Sequence, residues 1–330
     1  MARIALDAMG GDHAPSETVA GAVDAASRGV DVVLVGNEAA IRAELERHET
    51  TLPVVDAPDV IGMADDPARA LRELPRASIT VCARLVSEGQ AEGFVSAGST
   101  GAAMAAAAII IGRVRGVARP AIASIFPTPG TPTLVLDSGA NPEVRPEQLA
   151  QFAIMGAVVA DALLGANPAR VGLLSIGEEK GKGRDLERAA YELIETGPVH
   201  FVGNVEGRDI ATDKVDVIVT DGFTGNVFLK ATEGTASLIS SYVLEALSGL
   251  DEAIQAAVLP ALATVREKMD WESYGGAQLL GVRGSVLIAH GSSSRRAIAN
   301  ALRMAHDSAD KDLPGLIASA IEGSRQETLA

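Results

Sequence analysis

The residues best suited to chemistry follow an apolar segment near the middle of the chain. Residues 215–219 are mostly β-branched, as a buried parallel strand requires. Directly after this segment come Asp221, Gly222, Thr224, Gly225 and Asn226. We predict that a helix begins near Val227. Because N–H groups at a helix start have no intrahelical partner, this segment favours an anion site, although a structural turn would use the same glycines.

Other predicted strands end in loops of the same kind. At least seven of them end where Gly is combined with Asn, Ser, Thr, Asp, Lys or His. Open α/β sheets bind ligands at the carboxyl ends of their strands, so we expect these loops to share one edge of the sheet. The candidate phosphate- or substrate-binding residues outside the 221–226 segment are Asp7, Gly10, Gly11, Asp12, Gly98, Ser99, Thr100, Gly101, Asn141, Arg208 and His290.

Two cations could bring positive charge to this edge. Lys182 lies between Gly181 and Gly183, where its side chain meets little crowding, and Arg208 offers a planar fork of donors. An isolated loop lysine is usually only solvated. Among so many polar loops, however, Lys182 is a candidate catalytic residue. His290 is either a ligand contact or a helix cap.

The sequence lacks the motifs that are typical of several reaction classes. There is no G-x-S-x-G segment, and Cys82 lies in a helical pattern rather than in a strand-end loop. HExxH, CxxC and P-loop motifs are absent. Asp7, Asp12, Asp137 and Asp221 could gather around Mg²⁺, but strand-end carboxylates more often cap loops. We therefore expect neither a metal nor a cofactor.

The composition further limits the class of protein and its cellular environment. The 330 residues are 47% hydrophobic with a net charge of −15, which argues against a nucleic-acid binder. With Cys82 as the only cysteine, the composition is typical of a reduced cytosolic protein. No signal peptide is visible before the first strand, Arg3–Asp7. The uncharged run 93–112 is interpreted as strand, loop and short buried helix rather than a membrane span.

Strands that alternate with helices predict an α/β fold, a mostly parallel sheet with helices on both faces. We expect one α/β/α catalytic domain over residues 1–330. The alternative is that this domain divides into two lobes around a cleft. The apolar pattern of residues 238–270 predicts a helical hairpin. This hairpin either packs internally or forms a dimer seam whose tip touches the membrane. The tip residues are Leu250, Ile254, Val258 and Leu259.

Seven motifs occur in an order that resembles a known family. They are DAMGGDHAP (7–15), SAGSTGA (96–102), LDSGAN (136–141), GNVEGRD (203–209), TDGFTGNV (220–227), YGGAQLLG (274–281) and AHGSSS (289–294). Together they resemble the bacterial acyl-ACP:phosphate acyltransferase (PlsX) family of phospholipid synthesis, from Arg3 to about Asp312. Ser99 departs from the family, which usually has Asn at this position.

The resemblance implies transfer of a long-chain acyl group from acyl carrier protein, or less readily coenzyme A, to inorganic phosphate. The acyl phosphate is then used by a membrane glycerol-3-phosphate acyltransferase. It also implies a homodimer whose fold is related to phosphotransacetylases and isocitrate-type dehydrogenases. The enzyme would be cytoplasmic and attached peripherally to the inner face of the membrane.

This chemistry suits the residues, because phosphate is itself a nucleophile and a thioester is already activated. Our hypothesis is that Lys182 neutralises phosphate or the oxyanion, while Asn226 and the N–H groups of residues 222–225 bind the reacting oxygens. Residues 98–101 and Arg208 would hold phosphate.

Acyl carrier protein is acidic, so docking on this acidic enzyme needs a local basic patch. One candidate patch is Arg113, Arg115 and Arg119, and another is Arg266 and Lys268. The alternatives to the acyltransferase are a short-chain phosphotransacetylase, a dehydrogenase of related fold, and a non-catalytic acyl or phosphate sensor.

Overall fold

Strands and helices alternate along most of the chain, because short β-branched runs are separated by longer helix-forming segments. The computed structural model describes residues 2–128, 130–268 and 271–329. Within them the strands are β1 (Arg3–Asp7), β2 (Asp31–Gly36), β3 (Val54–Asp56), β4 (Gly93–Ser96), β5 (Ala121–Phe126), β6 (Thr133–Leu136), β7 (Arg170–Leu174), β8 (His200–Val205), β9 (Val217–Val219), β10 (Ala277–Leu280) and β11 (Ser285–Ile288).

The helices of the same residues cover both faces of the sheet. They are α1 (Ser16–Ser27), α2 (Glu38–Arg47), α3 (Pro67–Glu73), α4 (Ser78–Ser87), α5 (Thr100–Ala106), α6 (Pro146–Val159), α7 (Asp185–Glu195), α8 (Gly222–Ser248), α9 (Glu252–Lys268), α10 (Arg295–Asp310) and α11 (Leu313–Leu329). Two of them continue as π-helical turns, α5 through Ala107–Ile111 and α6 through Ala160–Leu164.

One local prediction is wrong, and one strand was not predicted. Helix α8 begins at Gly222 rather than near Val227, because the side chain of Asp221 accepts a hydrogen bond from Thr224 N and so caps the helix five residues earlier. The segment 274–281 contains strand β10, which its flanking glycines concealed.

The strands form one eleven-stranded sheet in the order β3-β2-β1-β4-β11-β10-β5-β6-β9-β7-β8. This arrangement confirms the predicted α/β fold. Strand β10 is antiparallel to both β11 and β5, and β5 is antiparallel to β6, whereas the other pairs are parallel. Consequently β1–β5 and β11 run in one direction, and β6–β10 run in the other.

The expectation that all the polar loops share one edge of the sheet is therefore wrong. The carboxyl ends of β1, β4 and β11 lie at what we name the first edge, with loops 7–13, 96–101 and 289–292. The carboxyl ends of β6, β7 and β9 lie at the opposite side, the second edge, with loops 137–141, 175–184 and 220–226. The reason is that three antiparallel pairings, β11–β10, β10–β5 and β5–β6, lie between the two groups of strands. Because three is an odd number, the two groups run in opposite directions.

One helix of the described residues, Pro146–Leu164, is long and apolar enough to span a membrane by length and composition alone. Its residues Leu149, Phe152 and Met155 are buried in the same cluster as Val171 and Val217 of the sheet. It is therefore a core helix of this fold.

Helices α8 and α9 cover the region of the predicted hairpin, and many of their large apolar side chains are exposed. Eleven of the eighteen exposed large hydrophobic residues of the described chain lie between Gly222 and Lys268. Leu250, Ile254 and Leu259 of the tip are exposed and Val258 is half-buried. The hairpin is therefore not packed internally in this chain.

The first turn of α8 lies unusually close to the loop 137–141. A Cβ atom on Gly225 would lie only 1.9 Å from the carbonyl oxygen of Asp137, and one on Gly222 would lie 2.7 Å from the backbone of Asn141. Gly222 N donates to Asn141 O at 2.8 Å. Only glycine permits this approach, so α8 is positioned by backbone contact.

Replacing Gly225 by alanine should destabilise the protein by about 1–3 kcal/mol, because the added methyl group must push α8 away from Asp137. Gly234→Ala in the same helix is the matched control, since nothing lies within 4 Å of its Cβ position. There we expect a gain of roughly 0.5–1 kcal/mol from helix propensity. The measurement is the free energy of unfolding in urea. Equal effects of the two changes would contradict the close contact.

Candidate functional site

At the first edge, Asp7 joins two strand-end loops. Its Oδ2 accepts a hydrogen bond from Ser96 Oγ at 2.6 Å, and its Oδ1 accepts one from Met9 N at 3.3 Å. Ser96 Oγ also accepts a hydrogen bond from Gly98 N at 3.0 Å. Burial raises the pKa of Asp7, and these hydrogen bonds oppose the rise. Asp7 is therefore a buried tether between the β1 and β4 loops.

The third loop of this edge follows β11. Asp12 N donates to Gly291 O at 2.8 Å, and a Cβ on Gly10 would meet Gly98 N at 2.7 Å. The three loops thus pack against one another. Asp12 and His290 are exposed here, and His290 Nδ1 accepts a hydrogen bond from Ser292 N at 3.3 Å. Helix α10 is capped by Ser294, so His290 is not its cap.

The first edge presents three consecutive backbone donors at the start of α5. Ser99 Oγ accepts a hydrogen bond from Ala102 N at 3.4 Å, so Ser99 is the N-cap of this helix. The N–H groups of Ser99, Thr100 and Gly101 have no hydrogen-bond partner among the described residues. Together with the helix dipole, they form the strongest anion-binding feature of the candidate residues.

At the second edge, Asp137 plays the corresponding tethering role. Its Oδ1 accepts hydrogen bonds from the N–H groups of Ile122, Gly139 and Ala140 at 3.0–3.1 Å. Its Oδ2 accepts from Asn141 N at 2.7 Å and from Asn141 Nδ2 at 2.9 Å. Asn141 therefore supports the loop that holds α8 in place.

The N–H groups at the start of α8 differ from those of α5. Gly222 N donates to Asn141 O, Thr224 N donates to Asp221 Oδ1, and Gly225 N donates to Asp221 O. Of these four amides, only that of Phe223 has no partner in the described part of the chain. The expectation that all the 222–225 amides bind reacting oxygens is therefore wrong, because Asn141 and Asp221 already accept hydrogen bonds from three of the four.

Lys182 and Asn226 both lie at the second edge with exposed side chains. Asn226 is beside Gly139, whose Cβ position is 3.8 Å from that of Asn226. Neither side chain forms a hydrogen bond or ion pair within the described residues, so both are available to a ligand.

Arg208 also follows a strand of this edge, β8, and pairs with Glu206 Oε2 at 2.9 Å. The strand directions therefore separate groups that the sequence predicted to act together. Within one chain, Arg208 cannot join residues 98–101 around one phosphate. Likewise, Asp7 and Asp12 lie at the first edge and Asp137 and Asp221 at the second, so the four cannot share one magnesium ion.

Sequence reasoning missed Arg184. Its guanidinium contacts Asp221 Oδ2 at 2.5 Å and Glu187 Oε1 at 2.5 Å, and it links the Lys182 loop to the cap of α8. The bonds to Glu187 and then Asp221 raise the pKa of Arg184 above its already high value. The available signal was the acidic first turn of α7, where Glu187 accepts a hydrogen bond from Arg184 N at 2.7 Å.

We expect Arg184→Ala to lower the free energy of unfolding by about 1–3 kcal/mol, because it leaves the buried Asp221 carboxylate without a cation. Because the guanidinium is exposed to solvent, we expect the loss in free energy of unfolding to lie toward the low end of that range. A double-mutant cycle with Asp221→Asn should show coupling of at least about 0.5 kcal/mol in urea unfolding. Arg42→Ala, which removes an exposed pair with Glu38, is the control and should change stability by less than that. Strictly additive effects at Arg184 and Asp221 would contradict the link.

Comparison with solved structures supports the fold. The chain resembles a phosphotransacetylase from Streptococcus pyogenes, with a TM-score of 0.62, 18% identity, and coverage of 97% of this chain and 94% of that one. It also resembles 4-hydroxythreonine-4-phosphate dehydrogenase from Klebsiella pneumoniae, with a TM-score of 0.54, 14% identity, and coverage of 94% and 100%.

Sequence relatives are much closer. The chain is 45% identical to the phosphate acyltransferase of Desulforamulus reducens over 98% of this chain and 99% of that protein. It is 48% identical to the phosphate acyltransferase of Heliobacterium modesticaldum over 97% and 98%. The family model described as "Fatty acid synthesis protein" matches residues 2–315. These matches confirm the resemblance drawn from the seven motifs, and the chain belongs to this fatty acid synthesis protein (PlsX) family.

Proposed function

We propose that this protein transfers an acyl group from an acyl thioester to inorganic phosphate. The observation that supports it most is the row of unpartnered amides at Ser99, Thr100 and Gly101, a phosphate site in a family whose relatives are named phosphate acyltransferases. The favoured donor is long-chain acyl-ACP, and the product is an acyl phosphate for phospholipid synthesis.

The reaction needs no enzyme nucleophile. A phosphate oxygen attacks the thioester carbonyl carbon, the C=O electrons move to the oxygen, and their return expels the thiolate as the C–S bond breaks. Cys82 does not compete as a nucleophile, because burial raises the pKa of its thiol well above the ordinary value. The protein's task is to position the reactants and stabilise negative charge.

The two edges suit different parts of this reaction. The three first-edge amides hold phosphate at the start of α5, where the dipole favours an anion. Lys182 and Asn226 at the second edge supply a cation and an amide donor, which suit the oxyanion that develops on the thioester carbonyl. This division assigns the phosphate to the 98–101 loop of one chain and the carbonyl to the Lys182–Asn226 pair of the other chain in the homodimer that the family resemblance implies.

The function is tested by free-thiol release from palmitoyl-ACP with and without inorganic phosphate. We expect release only with phosphate, and a decrease in kcat of about 100- to 1000-fold in Lys182→Ala and Asn226→Ala. Lys230→Ala is the control, since Lys230 is an exposed lysine of α8 that pairs with Glu233. Intact acyl-ACP after incubation with folded enzyme and phosphate would instead favour the sensor. Faster release from acetyl-CoA than from palmitoyl-ACP would favour the short-chain phosphotransacetylase.

The carrier protein would dock near the second edge. Asn141 Nδ2 donates to Pro120 O at 2.8 Å, so the segment that carries Arg113, Arg115 and Arg119 adjoins the 137–141 loop. All three arginines are exposed, and Arg113 donates to Ala118 O. The side chains of Arg266 and Lys268, the other predicted patch, lie outside the described residues. We favour the first patch, because it brings an acidic carrier close to Asn226.

The hairpin tip is proposed as a reversible contact with the membrane surface, where acyl phosphate is consumed by the downstream acyltransferase. Helix α8 has 27 residues and is therefore about 40 Å long, which carries the tip far from Asn226. Exposed apolar side chains at the end of such a projection suit insertion among lipid headgroups.

Aspartate at Leu250, Ile254 and Leu259 should abolish flotation with anionic liposomes, because each charge opposes burial of the tip in lipid. The expected loss of bound protein is at least about 10-fold, since each buried apolar side chain contributes roughly 1.5 kcal/mol or more. Leu193→Asp is the control, because Leu193 is exposed to a similar degree on α7. Flotation that persists in the triple variant would contradict the tip assignment.

A further inference from the structure

The loop that carries Lys182 is fastened to the elements on either side of it. Lys182 N donates to Glu179 O at 2.9 Å, and Asn204 Nδ2 of strand β8 donates to the same carbonyl oxygen at 2.9 Å. Gly183 has a φ of +100°, and a Cβ atom there would lie 2.8 Å from the Cβ of Glu187 in helix α7. The backbone around Lys182 is therefore held in a defined position.

Arg184 joins this loop to the first turn of α8. Its guanidinium contacts Asp221 Oδ2 at 2.5 Å. The Asp221 carboxylate also accepts hydrogen bonds from Thr224 N at 2.7 Å and from Thr224 Oγ1 at 2.9 Å. Asn226 follows Thr224 by two residues, and Lys182 precedes Arg184 by two residues. The bond from Arg184 to Asp221 therefore connects the two backbone segments that carry the candidate catalytic side chains.

The same guanidinium binds both buried carboxylates of this region. The side chains of Asp221 and Glu187 are 3% and 9% exposed, and Arg184 contacts both. A Cβ atom on Gly183, the neighbour of Lys182, would lie 3.3 Å from Glu187 Oε2, so this carboxylate adjoins the loop backbone. A buried carboxylate that loses its cation is strongly disfavoured, and Lys182 could then take the place of the lost arginine.

We infer that Arg184 is a positioning residue of the proposed reaction. It holds the Lys182 loop against α8, and it neutralises Asp221 and Glu187, which leaves the Lys182 ammonium group available to substrate. Both effects act on groups whose placement matters most in the transition state. The inference rests on the proposed function for its chemistry.

Arg170 provides a matched control elsewhere in the same sheet. Its guanidinium contacts Asp216, whose side chain is 5% exposed, at 2.8 Å and Asp213 at 2.9 Å. Arg170 is the first residue of strand β7, whereas the Lys182 loop follows the other end of that strand. Arg170→Ala should therefore lower stability at least as much as Arg184→Ala, without moving the candidate catalytic side chains.

The first measurement is phosphate-dependent thiol release from palmitoyl-ACP, with each rate divided by the concentration of folded protein. We expect Arg184→Ala to lower kcat by at least about 10-fold, since a misplacement of about 1 Å can cost about 100-fold. The KM for palmitoyl-ACP should change by less than about 2-fold, because the lost interactions belong to the transition state. Arg170→Ala should keep the wild-type kcat.

Arg184→Lys retains a cation but not the planar fork that contacts two carboxylates, so its kcat should lie between those of wild type and Arg184→Ala, at least about 3-fold below wild type. This variant decides the question if Arg184→Ala does not fold. Wild-type kcat in either Arg184 variant, or an equal loss in Arg170→Ala, would overturn the inference.

A double-mutant cycle with Lys182→Ala separates positioning from a general loss of structure. If Arg184 acts through Lys182, its replacement has less to remove once the lysine is gone. The decrease in kcat caused by Arg184→Ala should then be at least about 3-fold smaller in the Lys182→Ala background than in the wild-type background. Single losses that multiply in full would contradict the positioning role.

Competitive labelling with acetic anhydride provides a readout that does not depend on turnover. Only the uncharged amine reacts, and a carboxylate partner favours the charged form. Lys182 should therefore react at least about 3-fold more slowly in Arg184→Ala than in wild type, whereas Lys230 should react equally in both. Unchanged labelling of Lys182 would count against the inference. If wild-type protein releases no thiol but Lys182 labelling slows in this variant, the proposed function fails and the positioning of Lys182 by Arg184 stands.

Discussion

The antiparallel pairings of β10 and β5 are the constraint on which the rest of the structure depends. They join two sets of mutually parallel strands into one sheet, but in opposite directions. Each set brings its own strand ends together, and each therefore builds a polar surface from neighbouring loops. The reversal also prevents the two surfaces from combining within the chain.

Within each surface, a buried carboxylate fixes the loops. Asp7 connects the β1 and β4 loops through Ser96, and Asp137 binds the backbone of its own loop through several N–H groups. These residues were predicted as possible ligands or magnesium partners, yet their oxygens already accept hydrogen bonds from the protein. We propose that ligand contact falls instead to groups without partners among the described residues, which include the amides at the start of α5 and the side chains of Lys182 and Asn226. The residues that fix the loops are thus different from those that we propose contact the ligands, although both belong to the same motifs.

Helix α8 connects the candidate site at its base to the exposed apolar side chains at its far end. Its first turn packs on Asp137 through Gly222 and Gly225, and its cap is bound by Arg184 of the Lys182 loop. The same helix then extends away from the sheet with exposed apolar side chains. Its base carries Asn226, which we propose acts in the reaction, and its far end leads to the side chains that we propose contact a membrane.

The sequence by itself determined the family, the α/β class and the residues of every polar loop, because motif order and β-branched runs are local properties. It also indicated that the region 238–270 is helical and apolar. Only the tertiary structure decided which loops lie together, since strand direction depends on pairing between distant segments, and the glycine-flanked β10 gave little local signal. The start of α8 and the role of Arg184 also required the structure, because both depend on how Asp221 is bonded by its neighbours.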